Sequence, residues 1–109
     1  MTHRLLFSVA LLALSGCVGT PHRSPSEITT PEISAYKLGI KTGCKDAGKN
    51  KGDPESKVSA FCDCVGTTLQ ARMTVEEWQR ATYFAQQRKD QDEQSVLAPH
   101  MRSINSCKQ

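Results

Sequence analysis

The sequence predicts an all-α fold: a small, disulfide-stapled bundle of about four helices behind a flexible N-terminal tether. Helix-start signatures recur along the chain, at Thr30-Pro31-Glu32, Asp53-Pro54-Glu55 and Thr74-Val75-Glu76-Glu77. Apolar residues return every three or four positions, and no run alternates apolar and polar as a half-buried strand does. Beyond residue 17, Cys44, Cys62, Cys64 and Cys107 form an even set of thiols. A domain this small has a modest core and commonly needs such staples.

The elements follow in order. Thr30 reads as a cap and Pro31 as the first helical residue, where a missing N–H costs nothing. Ile33, Tyr36, Ile40, Cys44 and Ala47 then share one face, and Gly48 to Gly52 ends the helix. Asp53-Pro54 repeats the cap-then-proline pattern, with Val58, Phe61, Cys62, Val65 and Leu69 as the second stripe. Thr74 and Glu77 make a capping box, and Met73 and Trp78 are spaced for a hydrophobic staple. The inner face of this third helix reads Val75, Trp78, Ala81, Thr82 and Ala85, with Phe84 on its flank. From Gln86 to Gln94 the chain is polar without a Gly or Pro breaker, which leaves the helix end open between Arg88 and Pro99. Leu97, Met101, Ile104 and Cys107 give a last stripe, broken or kinked near Pro99.

In an exported chain, four such cysteines read as two disulfides. At 100° per residue Cys62 and Cys64 point about 200° apart, so they face different neighbours while the helix is intact. One of them joins Cys44 and the other Cys107; Cys44 and Cys62 both lie on core stripes, which favours that pair and leaves the connectivity open. A four-thiolate zinc site wants paired C-x-x-C knuckles, and this spacing lacks them. A redox-active C-x-C needs a lowered thiolate pKa, whereas the flanking Asp63 acts to raise it. The reading is structural disulfides, with no metal and no cofactor.

The N-terminus carries a different message. His3 and Arg4 precede an apolar run from Leu5 to Leu14 broken only by Ser8. Such a run spans about 15 Å as helix, short of a hydrocarbon core of about 30 Å, and has the layout of a cleaved signal. Leu14-Ser15-Gly16-Cys17 closes it and resembles the lipobox of bacterial lipoproteins. The resemblance implies that residues 1–16 are a signal peptide, cut between Gly16 and Cys17. It implies that Cys17 receives a diacylglyceryl group and further acyl chains such as palmitate, holding the protein on a membrane. Val18 in place of Asp implies, for a Gram-negative host, the periplasmic face of the cell outer membrane. The competing reading is an ordinary secretory signal with Cys17 an unpaired thiol. Residues 17–30, with Pro21 and Pro25, read as a flexible tether up to about 40 Å long, and residues 31–109 as the folded domain.

Composition and motifs narrow the function. A formal net charge of +3 falls far short of the basic excess of a nucleic-acid binder. No catalytic set is visible: His3 lies in the signal, His22 in the tether, and His100 follows Pro99 without an evident partner. Glu76 and Glu77 suit a helix's first turn. Gly48 and Gly52 lack the Gly-Lys-Ser/Thr ending of a phosphate loop. Two features suit binding. Lys37, Lys41, Lys45 and Lys49 recur every four residues, extended by Lys51 and Lys57 and diluted by Asp46, Asp53 and Glu55; they suit anionic lipid headgroups, lipopolysaccharide or an acidic partner, and the alternative is a solvated helix back. Tyr83 falls off the inner stripe beside Phe84 and suits a partner anchor. Gly39 and Gly43 suit internal packing around the disulfide. The reading is a non-catalytic protein-binding or accessory lipoprotein with an envelope protein as partner. Its build is similar, in architecture only, to secretin pilotins and to accessory or exclusion factors of secretion and conjugation systems. The alternatives are an envelope inhibitor or immunity protein that neutralises a hydrolase, and a thiol–disulfide protein using Cys62 and Cys64.

Overall fold

The first helix begins one residue earlier than the cap-then-proline pattern places it. In the computed structural model, which describes residues 23–108, α1 spans Thr30–Asn50 and is capped by Thr29. Thr29 accepts from the Glu32 N–H, and the Glu32 carboxylate reaches back to the Thr29 N–H, a reciprocal capping box. Pro31 remains inside the first turn, where its missing donor is harmless. Gly52 ends α1 at φ +79°, and the N–H groups of Gly52 and Asp53 return to the carbonyls of Lys49 and Gly48. That is a Schellman ending with glycine at the left-handed position.

The same loop starts α2, Glu55–Arg72, but Asp53 makes no side-chain cap; Pro54 occupies the cap position without a side-chain bond. Only Met73 and Thr74 separate α2 from α3, Val75–Gln86. The Met73 N–H closes α2 on the Leu69 carbonyl, and Thr74 opens α3 with the capping box read from sequence. Met73 and Trp78 are both buried in one core cluster, as the staple requires. The open question of where α3 ends is answered at Gln86, again by a Schellman ending. Arg88 takes the left-handed position at φ +56°, and the Lys89 N–H reaches the Phe84 carbonyl. α4 follows as Asp90–Leu97, then a single 3-10 turn at Ala98–His100 carrying Pro99, then the short α5, Met101–Asn105. The break near Pro99 therefore falls where its sequence places it.

α1 and α2 form one antiparallel hairpin, α3 and α4 a second, and α3 packs on α1 while α5 returns to α2. The core lies between them, built from Ile33, Val65, Leu69, Trp78, Ala81 and Val96 among others. Cys44 is bonded to Cys62 and Cys64 to Cys107, each pair with Cα atoms 5.8 Å apart. The opposed directions of the C-x-C side chains thus do what the helix angle dictates: one sulfur faces α1, the other the C-terminus. Among the described residues no helix is long and apolar enough to cross a membrane.

Several sequence expectations are corrected. The tether does not run to Thr30: Pro25–Glu27 is a 3-10 turn against α3, and Ile28 is 4 % exposed within the core. One isoleucine reaching the core reverses the compositional argument, because a single buried anchor offsets part of the ordering entropy. The domain therefore includes residues 23–30, while residues 17–22, like the signal peptide and lipobox, lie outside the described residues. Val75, at the very start of α3, is 68 % exposed, and Met101 is 46 % exposed, so neither belongs to an inner face. Ala47 is also exposed, whereas Val96, which the last stripe omits, is buried. Gly39 and Gly43 face open space and pack against nothing. The glycine that packs is Gly48: a Cβ there would meet the two Val58 methyls at 2.7 and 2.8 Å.

Candidate functional site

The lysines of α1 do not form one free strip. Lys37 is half-buried, with Nζ 4.6 Å above the Trp78 ring and 2.6 Å from Gln70 Oε1. It is a cation held on an aromatic face, contributing to packing as much as to charge. Lys41 pairs with Asp63 of α2 at 3.5 Å, an exposed pair worth at most about 1 kcal/mol. Lys45 and Lys49 have no acidic partner within salt-bridge distance among the described residues. Lys37 and Lys45 are half-buried, whereas Lys41 and Lys49 are exposed.

Tyr83 is not a free anchor. It is half-buried, stands edge-on to Phe84 at 5.6 Å, and both rings pack against the core. Residue spacing on an isolated helix placed Tyr83 outside; the α3–α4 hairpin gives that flank a neighbour. Trp78, by contrast, is core as expected, 5 % exposed and edge-on to Tyr36 at 6.2 Å.

His100 does have a partner. It is 8 % exposed, and its Nε2 lies 2.8 Å from Glu77 Oε2. Glu77 meanwhile accepts the Thr74 N–H at 3.0 Å, so one carboxylate caps α3 and anchors the turn after α4. The Thr74 amide first, and His100 next, hold this carboxyl below its ordinary range. His100 Nδ1 and Thr82 Oγ1 are buried without partners among the described residues. Sequence spacing cannot show a pair separated by 23 positions.

Glu32 is a second hub that single-helix reading shows only as a cap. Arg23 grips it with both guanidinium nitrogens at 2.7 and 2.8 Å, and Gln86 from the end of α3 donates at 2.7 Å. Arg23 foremost, then Gln86, hold the carboxyl far below the usual carboxylate range. Gln79 adds bonds to the Ser26 and Ile28 carbonyls, so the N-terminal segment is fastened along α3. One turn further along α1, the Tyr36 hydroxyl donates to Glu93 of α4.

A concave surface lies elsewhere, beside the two disulfides. A cleft of about 800 Å³ opens between the end of α1, the first half of α2 and the C-terminal residues. Ala47, Val58 and Phe61 supply apolar walls, and all four bonded cysteines line it. Lys51, Lys57 and Lys108 border it, against a single acid, Asp53. Two of these lysines are the ones that extend the α1 series in sequence. Fold and cross-links therefore assemble a basic-rimmed, apolar recess from residues that are far apart along the chain. Among the described residues no cluster of His, Cys, Asp and Glu has the arrangement of a metal centre. Comparison of the chain with protein-family models, curated proteins and solved structures finds no match.

Proposed function

We propose that the chain is a cell-envelope lipoprotein whose helical domain acts as a non-catalytic, protein-binding or accessory module. Cysteine pairing is the observation that carries this reading. Cys44, Cys62, Cys64 and Cys107 pair among themselves. Bridges of this kind persist in oxidising compartments outside the cytosol. They leave Cys17 without a partner among them, which suits the role that Leu14-Ser15-Gly16-Cys17 gives it: acceptor of acyl chains rather than of a second sulfur. One acyl chain binds a bilayer marginally, and two or three make the attachment durable. The domain then operates at the periplasmic face of the outer membrane, on another envelope protein.

Metabolic labelling with a palmitate analogue tests the anchor. The mature chain takes up label and begins at a modified Cys17, and Cys17→Ser removes both label and membrane association. A mature chain with a free Cys17 thiol, or one cut elsewhere, overturns the lipoprotein reading.

A further inference from the structure

We propose that the cleft beside the two disulfides is the docking site of the partner, and that it takes an acidic peptide segment bearing one or more apolar side chains. This rests on the reading of the domain as a protein-binding module and names the chemistry of what it binds.

Charge complementarity carries the choice. Lys51, Lys57 and Lys108 border the cleft and all are exposed, while Asp53 is the only acidic side chain on it among the described residues. None of these three lysines has an ion-pair partner among the described residues, unlike Lys41, which is engaged by Asp63. Three unpaired lysines against one acid leave the rim with an excess of positive charge beside apolar wall. Val58 and Phe61 offer that wall, and the two cross-links hold it rigid, so little ordering accompanies binding.

Size and shape decide between occupants. A recess of about 800 Å³ accepts a few side chains, not the face of a folded domain. An anionic bilayer presents a plane, which meets exposed lysines on a convex surface but does not enter a recess. A peptide segment does both: its apolar side chain sits over Phe61 and Val58 while neighbouring carboxylates reach the rim. Rim charges act mainly through association rate and salt dependence, whereas the buried apolar contact sets residence time.

The test uses the mature full-length chain and a fluorescein-labelled peptide, Glu-Asp-Leu-Phe-Asp-Glu, read by anisotropy. Binding is expected, weakening about tenfold or more for Lys51→Glu combined with Lys57→Glu, and weakening again from about 0.1 M to about 1 M salt as the Debye length falls from about 10 to about 3 Å. Replacing the peptide's Leu and Phe by Ser also weakens it. Lys45→Glu, away from the cleft, serves as control, and the thermal midpoint of each variant verifies folding. No binding of the acidic peptide, equal binding of its lysine counterpart, or indifference to the rim variants overturns the proposal. In cells, a photo-crosslinker in place of Ala60, which lines the cleft, is expected to mark an acidic segment of another protein. Adducts only to lipid, to a second copy of this chain, or to a basic or neutral segment overturn it. An envelope partner captured from crosslinkers elsewhere on the domain, with the Ala60 position silent, leaves the binding-module reading standing and removes the cleft from it.

Discussion

At the residue scale, Gly48 and Arg88 are the positions where backbone and packing are tightest. Gly48 lets α1 approach α2 at Val58. Gly48→Ala is expected to cost about 1–3 kcal/mol through overpacking. In a Val58→Ala background the same change becomes stabilising, because the methyl then has room and alanine is the better helix former. Thermal midpoints of the four proteins check this reversal. Arg88 presents the opposite case, a side chain held at φ +56° where glycine is at ease. Arg88→Gly is expected to stabilise the domain by about 0.5–1 kcal/mol, read as a rise in midpoint under chemical denaturation. An unchanged or lower midpoint there would mean that the Arg88 side chain contributes more than its backbone costs.

At the scale of elements, carboxylates join what sequence shows as separate helices. Glu77 caps α3 and holds His100 beyond α4. Glu77→Ala is expected to cost about 2–3 kcal/mol, more than the roughly 1 kcal/mol of a lost cap, because it orphans a buried imidazole. In a His100→Ala background the extra cost disappears, and the coupling measured by the double-mutant cycle is about 1 kcal/mol or more. Glu32 plays the same part for the N-terminal segment, α1 and α3. Its native pKa lies far below the ordinary 4.5, so it stabilises the fold above that value and the contribution drains away as pH falls below it. Glu77 is shifted in the same direction and adds to this loss. The thermal midpoint is thus expected to fall between about pH 5 and about pH 2, and less steeply in Glu32→Gln. Tyr36 works at the other end. Burial first, and Glu93 next, raise its phenol above the ordinary 10.0, so its contribution is lost as pH climbs past that value.

Helix identity was legible in the sequence because caps and periodicity are local signals: the Thr74–Glu77 box and the Met73–Trp78 staple are read directly. That Cys62 and Cys64 seek different partners was legible too, since helix geometry separates the C-x-C side chains; which of them meets Cys44 was only favoured by the core stripes, and the fold decides it. What escaped depends on neighbours. Ile28 looked like tether because composition counts residues and not the groove that one of them fills. Tyr83 looked exposed because spacing describes a lone helix. His100 looked unpartnered because its acid lies on another helix. The cleft escaped entirely, since its walls come from α1, α2 and the C-terminus together.

At the scale of the whole molecule, two cross-links hold a thin core. The Cys44–Cys62 loop closes 18 residues and the Cys64–Cys107 loop 43. In the chain-entropy model these stabilise by about 3 and about 4 kcal/mol, a large share of what a domain of this size has. Their consequences differ by place. Removing the longer bridge with paired Cys64→Ser and Cys107→Ser changes is expected to release α5 first, since it packs mainly on α2. Hydrogen exchange checks this: amides of residues 101–107 lose protection while those of α3 keep theirs. Uniform loss across both would show that the bridge supports the whole bundle cooperatively.

Under the proposed anchoring at Cys17, the clasp of Arg23 on Glu32 sets the length of a leash. Because the chain is fastened from Arg23 onward, only six residue steps separate the fold from Cys17, at most about 20 Å when straight. A linker running free to Thr30 would reach more than twice as far. On the lipid-anchored reading, the space the domain can sweep shrinks roughly tenfold, since it scales with the cube of the reach. Whatever the domain meets must come to within a few nanometres of the bilayer, and at that range its local concentration is correspondingly raised. On that reading, an arginine and a glutamate determine how near to the membrane surface the protein does its work.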